Sequence, residues 1–384
     1  MFPVLAFSTV DWDYLWHRPQ ALMSRFAVEG WPVLYVDSVG LRSPGFGDMG
    51  RVAQRLRRAF IRRPGALREP QPGVRVLSPV LLPFLDSPLA RSINVHRLVA
   101  RLRQGLKAMS AGDPVVWVYL PTQTVLECVR ALPRRLLVYE SIDALGSNPA
   151  GVSRGFAAAE RQILAMADLV ITSSESLWRE KREWNPNTHW VPSGVDDEFF
   201  VPGAVPPELA CLPEPRIGFF GTLDHRLDIE AMRELAEARR AWSFVLIGPS
   251  RIDLSALTRL PNVHWLGSKE HRSLPGYLAG LQAVYLAYVT DEFTSHIYPA
   301  KINECLAAGL PVVATALPSL EPMQGLIRLV RNGRTFGGEL QAALEEDGAE
   351  LRRGRVEAAR AGSWNVRYRQ IRQLLDAALG AGAA

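Results

Sequence analysis

The feature that most limits the fold is an alternation that runs through the chain twice. Short apolar runs bounded by turn residues take turns with longer stretches of helical spacing. In the first array the strand-like runs are Val4–Ser8, Val33–Asp37, Val74–Leu77, Val115–Tyr119, Leu136–Asp143, Asp168–Ser174 and Trp190–Asp196. Helical patterns fall between them, among others around Leu22–Ala27, Leu98–Met109 and Gly155–Ala167. Runs that are apolar throughout suit strands buried on both faces, which means a parallel sheet with crossover helices. Pro202, Pro206, Pro207, Pro213 and Pro215 then crowd one short region, which is linker composition. The alternation restarts with Arg216–Phe220, Ser243–Gly248, Val263–Gly267, Ala283–Ala287 and Val312–Ala314. A chain of 384 residues accommodates two domains of ordinary size. The boundary falls near residues 197–215.

Several function classes drop out. No Gly-x-Gly-x-x-Gly follows the first strand, so a dinucleotide fingerprint is absent. Cys128, Cys211 and Cys305 lie far apart without metal-type spacing, which points to a reduced, cytoplasmic setting. The apolar start Met1–Phe7 lacks a basic leader and soon meets Asp11 and Asp13, so it reads as a first strand and not as a signal peptide. No apolar run approaches the roughly 20 residues of a spanning helix. The net charge of +5 favours anionic partners weakly. Its most concentrated source is Arg51–Arg68, where seven arginines occur with no acid and Val52, Leu56, Ala59 and Phe60 sit at helical spacing. Such a segment suits an anionic membrane surface, and with it a location on the inner face of the cell membrane. A solvated basic face on a surface helix accounts for it at least as well. Nucleic acid is not expected as a partner, because no nucleic-acid-binding motif is recognisable.

The stretch Thr294–Thr315 carries the chemistry. It reads as a loop, a short helix with Pro299 in its first turn, a stop at Gly309 and Pro311, and a buried strand. Lys301 is the anomaly. A cation in the first turn of a helix opposes the macrodipole, and an anion bound there would reverse the sign. Glu304 lies one turn further on the same face. A cation for phosphate beside an acceptor carboxylate for ribose hydroxyls suits a nucleotide. A surface Lys–Glu pair on an ordinary helix uses the same residues, and the stretch alone does not separate the two. Asp143 stands at the carboxyl end of a parallel strand, where ligand crevices lie. A helix-capping aspartate is an equally ordinary role there.

Three motifs in order carry a resemblance. Val191-Pro192-Ser193-Gly194-Val195-Asp196 resembles the interdomain segment of GT-B glycosyltransferases. Pro299 to Thr315 is similar to the donor-site signature of retaining family 4 enzymes. Trp16-His17-Arg18-Pro19-Gln20 resembles a bacterial subgroup that builds capsule, exopolysaccharide and related glycans. The resemblance covers nearly the whole chain. It implies an α/β GT-B fold of two Rossmann-like doubly wound domains facing a cleft. Residues 1–196 would form the acceptor-side domain and 197–362 the nucleotide-sugar domain. Residues 363–384 would be a helix crossing back to the first domain. The implied activity is hexosyl transfer from a nucleoside diphosphate sugar, a uridine diphosphate sugar being slightly favoured, to a glycan, lipid-linked or small-molecule hydroxyl.

The resemblance also implies roles. Glu304 would bind ribose, and Lys301 with the backbone at Tyr298–Ala300 would face the diphosphate. Gly221 is the flexible turn after the first strand of the second domain. Arg226 and His225 lie where a cation meets the phosphates, the backbone of Trp265 and Leu266 where the base is read, and Ser295 and His296 at the donor. Trp16 and Arg18 fall on the acceptor side. No Asp-x-Asp pair stands in a metal-binding context, so neither metal nor cofactor is expected. Two positions depart from the family pattern: His296 replaces a glutamate near the donor sugar, and the strand that usually ends in a catalytic histidine ends in Ile142-Asp143. Asp143 is therefore the catalytic candidate, as a base or a positioning group toward the acceptor. The same departures leave a non-catalytic nucleotide-sugar-binding protein as the rival. An epimerase shares the fold but fits Pro299, Lys301 and Glu304 less well.

Overall fold

The structure is a computed structural model. It describes residues 1–40, 67–82, 84, 86–109, 112–147, 151–331 and 336–381. The basic segment is therefore outside the described residues except for Leu67 and Arg68 at its end. The chain forms two compact units, Met1–Val191 together with the chain from Tyr368 onward, and Pro192–Arg367.

The first unit is built on β1 (Val4–Phe7), α1 (Arg18–Val28), β2 (Val33–Val36), β3 (Arg68–Gln71), β4 (Val74–Leu77), α2 (Pro88–Lys107) and β5 (Val115–Val118). It continues with α3 (Gln123–Ala131), β6 (Leu136–Ser141), α4 (Phe156–Met166), β7 (Leu169–Thr172), α5 (Glu175–Lys181) and β8 (Thr188–Trp190). The eight-stranded sheet has the order β3-β4-β2-β1-β5-β6-β7-β8. Only the β3–β4 pair is antiparallel among those described. The strands split their side chains between two cores. Leu5 and Phe7 belong to one, Val4 and Ala6 to the other, as the two-residue period of a strand requires. Helices cover both faces, which is why these strands read as continuous apolar runs. Tyr368, Ile371 and Leu375 complete the second of those cores, and the Tyr368 hydroxyl donates to Glu29 at 2.8 Å.

The second unit runs β9 (Arg216–Phe220), α6 (Ile229–Ala238), β10 (Ser243–Ile247), β11 (Val263–Trp265), α7 (Leu274–Ala279), β12 (Ala283–Leu286), α8 (Lys301–Ala307), β13 (Val312–Thr315), β14 (Arg328–Val330), α9 (Phe336–Glu346) and α10 (Ala349–Ala361). The helix α11 (Trp364–Ala381) follows. All described pairs in its six-stranded sheet are parallel, in the order β11-β10-β9-β12-β13-β14. That is the doubly wound order, which reverses direction between β9 and β12. Ligands of such sheets sit at the strand carboxyl ends beside that reversal.

The differences from the sequence expectation are local. The strands β3 and β14 are short and half-polar, so they carry no apolar run. α2 begins at Pro88, ten residues before its expected start, because Ser87 caps it and Pro88 suits a first turn. Pro299 lies two residues before α8 and is not in its first turn. It accepts the Ile302 amide from a preceding turn at 3.0 Å. The stop is as expected: Gly309 has φ +75°, and the Gly309 and Leu310 amides donate to the Leu306 and Cys305 carbonyls. Among the described residues, no helix is long and apolar enough to cross a membrane.

Candidate functional site

In the second unit the reversal between β9 and β12 is occupied by a loop, Gly221–Asp228, strapped across the two strand ends. The Asp228 amide donates to the Ala287 carbonyl at 3.0 Å and the Val289 amide to the Arg226 carbonyl at 2.9 Å. Gly221 leaves β9 at φ +117°, a conformation that disfavours a side chain. The space a Cβ would take is already used. Lys301 Nζ lies 2.6 Å from that position, above the Phe219 ring at 4.0 Å from its centre. Gly248 leaves β10 at φ +141° and approaches the Gly221 carbonyl so closely that a side chain there would collide with it.

Arg226 points its guanidinium by a fork onto Asp224. Nε and Nη2 donate to the two carboxylate oxygens at 2.8 and 2.7 Å. Asp224 is buried; burial works to raise its carboxyl, but the Arg226 bonds outweigh it and hold it below the ordinary value. Lys301 feels the opposite balance. Burial, and then repulsion from Arg226, pushes its ammonium down to about 7, against the attraction of Glu304 and Asp224. Lys301, beside Gly221, thus lies in the field of a second cation, Arg226. Glu304, one turn along α8, is pushed up to about 7 by burial, while the charge of His271 pulls it down. His271 lies 3.4 Å from Asp196 through Nε2 and beside the Phe199 ring. Burial lowers His271, but the bond to Asp196 and the field of Glu304 win and raise it.

A second anchor holds α8. The Asn303 side-chain amide donates to the Ser193 carbonyl at 2.8 Å, and its oxygen accepts from the Tyr298 hydroxyl at 2.7 Å. The Val191–Asp196 motif therefore carries structural contacts. Gly194 leaves no room for a side chain against Trp364, Asn303 holds Ser193, and Asp196 reaches His271.

The other expected donor residues are spread around this centre. His225 is exposed, its ring 6.3 Å from Phe293. The Trp265 indole donates to the Gly248 carbonyl at 2.9 Å, and the ring is half exposed. The Leu266 amide donates to the Leu246 carbonyl and is not available to a ligand. The Ser295 hydroxyl donates back into its own turn, to the Asp291 and Glu292 carbonyls. His296 caps that turn, and Ala300 stands directly before α8. α8 has only seven residues, so the charge at its start is carried by the lysine side chain more than by a helix dipole.

The first unit holds its own cluster. Arg18 is buried and its Nε donates to Glu140, which also accepts from the Trp117 indole at 2.6 Å. Gln20, fully buried, caps α1 and ties the preceding loop through the Asp11, Trp12 and Leu15 carbonyls. The Trp16–Gln20 motif thus does architectural work, with Trp16 edge-on to Trp12 at 6.1 Å. Asp143 follows the end of β6, half-buried, its carbonyl accepting the Leu145 amide at 2.8 Å. Sequence reasoning missed Asp224, His271, Asn303 and Glu140. The Asp-x-Arg spacing of Asp224 and Arg226 was a readable signal; the other three join segments far apart in the chain. Among the described residues, no three His, Cys, Asp or Glu side chains converge in a way that could hold a metal ion.

Residues 214–346, the span that contains this centre, match the family model for glycosyl transferases group 1. The chain has the GT-B fold, and its second unit resembles the glycosyl transferases of group 1. Over 229 residues it is 30% identical to a putative teichuronic acid biosynthesis glycosyltransferase, TuaH, of Bacillus subtilis. That match spans 56% of this chain and 58% of the relative's length. A sucrose-phosphate synthase from Thermosynechococcus elongatus superposes with a TM-score of 0.72 at 18% identity, covering 99% of this chain and 100% of that one. The Anabaena protein HepE, solved with UDP and glucose, gives 0.64 at 15% identity, covering 98% of this chain and 100% of that one. These likenesses establish the fold. Within the matched span, Lys301 and Arg226 lie by the carboxyl ends of β9 and β12, where the doubly wound order places a ligand.

Proposed function

We propose that the protein transfers a sugar from a nucleoside diphosphate sugar to a hydroxyl in bacterial glycan or glycolipid synthesis. The observation that carries this reading is Lys301 held beside Gly221 in the field of Arg226, with the lysine pushed down to about 7. Two cations held together in a half-buried site are unfavourable alone and favourable around a diphosphate. In the transfer, the bond between the anomeric carbon and the diphosphate oxygen breaks. Its electron pair leaves on the diphosphate, where Lys301 and Arg226 neutralise it; this reading assigns no metal. The acceptor oxygen forms the new bond to the anomeric carbon and gives up its proton. Asp143 is the group assigned to the acceptor, as base or positioning residue. Glu304 takes the ribose hydroxyls.

A uridine nucleotide is the first donor to try, because HepE was solved with UDP and glucose, and an E. coli trehalose-6-phosphate protein with UDP-2-fluoro glucose. An acceptor of the kind used in teichuronic acid synthesis is supported by the TuaH likeness. An anionic membrane partner at Arg51–Arg68 stays a sequence-level part of this reading. The test is a thermal-shift series with uridine, guanosine, thymidine and adenosine diphosphates and their sugars, since a ligand of the native state raises stability with concentration. The preferred donor is then turned over with wild type and Asp143→Asn, and the anomeric configuration of the product is read. No stabilisation by any nucleotide would end the transferase reading. Near-wild-type turnover of Asp143→Asn would remove Asp143 alone.

A further inference from the structure

The longest helix among the described residues of the first unit, α2, carries a face that the transferase reading does not use. α2 contains four arginines and one lysine and no acidic residue. Its inner side, with Leu98, Leu102 and Leu106, is buried in the core. Leu89, His96, Ala100, Arg103 and Lys107 are exposed and follow one another at spacings of seven, four, three and four, which is a single stripe. Arg97 and Arg101 are exposed along its flank. Arg91 pairs with Glu127 at 2.7 Å, the one ion pair of this helix among the described residues.

The stripe begins in apolar surface. Val80, Phe84 and Leu89 are 46%, 68% and 73% exposed. This surface is fixed to the helix. Asn94, fully buried, donates to the Leu82 carbonyl at 3.0 Å and accepts the Leu82 amide at 2.8 Å. Asp86, two residues past Phe84, accepts the Arg154 amide at 2.7 Å. Large apolar side chains held in water beside a row of cations are the two components of interfacial binding: one enters the headgroup boundary while the other meets lipid phosphates.

We propose that the exposed face of α2, with Val80, Phe84 and Leu89 at its N-terminal end, docks on an anionic lipid surface. Charge alone would suit any polyanion. The exposed leucine, valine and phenylalanine select a lipid boundary, since a nucleic-acid backbone offers them nothing apolar to enter. None of its residues belongs to Arg51–Arg68 or to the candidate donor residues.

The test is sedimentation of the full chain with phosphatidylcholine vesicles, with and without about a third phosphatidylglycerol, at low and high salt. Wild type should bind only the anionic vesicles and weaken as salt rises. Arg97→Gln with Arg101→Gln and Lys107→Gln should lower the partition constant about fivefold per charge removed. Phe84→Ser with Leu89→Ser should lower it by a factor that persists at high salt, where charge is screened. Both variants should keep wild-type nucleotide-induced thermal shifts, which shows that they fold. Three results overturn the proposal. One is wild-type vesicle binding by both variants. Another is loss of binding only when Arg55, Arg57, Arg58 and Arg62 are changed to glutamine. The third is binding of duplex DNA as tight as that of vesicles, with the serine pair having no effect on either.

Discussion

Changing Lys301 to methionine should stabilise the empty protein and weaken its grip on a nucleotide. Methionine keeps the length of the stem and removes the charge. Burial and Arg226 bring the ammonium from 10.5 to about 7. A fall of that size corresponds to about 5 kcal/mol of disfavoured charge. The Phe219 ring under Nζ returns about 1–2 kcal/mol by cation–π attraction, and partial exposure screens more, leaving a gain of roughly 1–2 kcal/mol for the variant near neutral pH. Losing a charge-assisted hydrogen bond to a diphosphate costs about 1.5–3 kcal/mol, roughly ten- to a hundredfold in affinity. The pH dependence gives the sign independently. Between about 7 and 10.5 the unfolded chain holds a proton on Lys301 that the native chain has released, so wild-type stability rises with pH across that window. Glu304 works the other way. Its carboxyl is raised from 4.5 to about 7, so the native chain keeps a proton that the unfolded chain loses, and stability falls across that lower window. Wild type should therefore show a stability minimum near neutral pH. Lys301→Met should lose the rise on the alkaline side and keep the fall on the acid side. Urea denaturation from about pH 5 to about pH 10 measures this, and calorimetry with a nucleoside diphosphate measures affinity. A variant that is less stable than wild type and binds nucleotide equally well would refute the reasoning and make Lys301 a structural residue.

Three further outcomes are expected. Gly221→Ala should lose about 1–2 kcal/mol of stability from its positive φ, by urea denaturation, and about tenfold in diphosphate affinity as Nζ is displaced. Asp224→Asn should weaken diphosphate binding about tenfold by calorimetry while nucleoside binding is unchanged, because Arg226 loses the charged half of its fork. His271→Phe should move the acid limb of nucleotide binding to higher pH, since Glu304 loses the neighbouring charge that favours its ionised form; an unmoved limb in calorimetry across pH would detach His271 from Glu304.

Most of the strands were legible because they are apolar throughout, a property that burial on both faces imposes; β8, with Thr188 and His189, was read two residues late. β3 and β14 were not legible, because each is a short edge strand with polar residues, held by its neighbour and not by an apolar run of its own. The same distinction runs through the candidate centre. Gly221, Lys301 and Glu304 stand in local patterns, a strand exit and a helix turn, so a single stretch names them. His271 reaches Asp196 across 75 positions and Asn303 reaches Ser193 across 110, so no window of sequence contains either pair. Arg18 was legible as a residue but not in its environment, because its partner Glu140 is 122 positions away on β6.

Lys301 shows how the physical reason for singling out a position can change. In sequence it stands out as a cation opposing a helix dipole. The helix has seven residues and starts after Pro299, so that dipole is a minor influence. What isolates the lysine is its setting: the Phe219 ring beneath it, the bare backbone of Gly221 beside it, and Arg226, aimed by Asp224, repelling it. None of these contacts neutralises it as a carboxylate would. Asp224 is committed to Arg226 through both oxygens, and burial keeps Glu304 inclined to hold its proton. A site that spends its buried aspartate on orienting one cation, and leaves a second cation to lose its own proton near pH 7, is arranged for a ligand that brings its own negative charge.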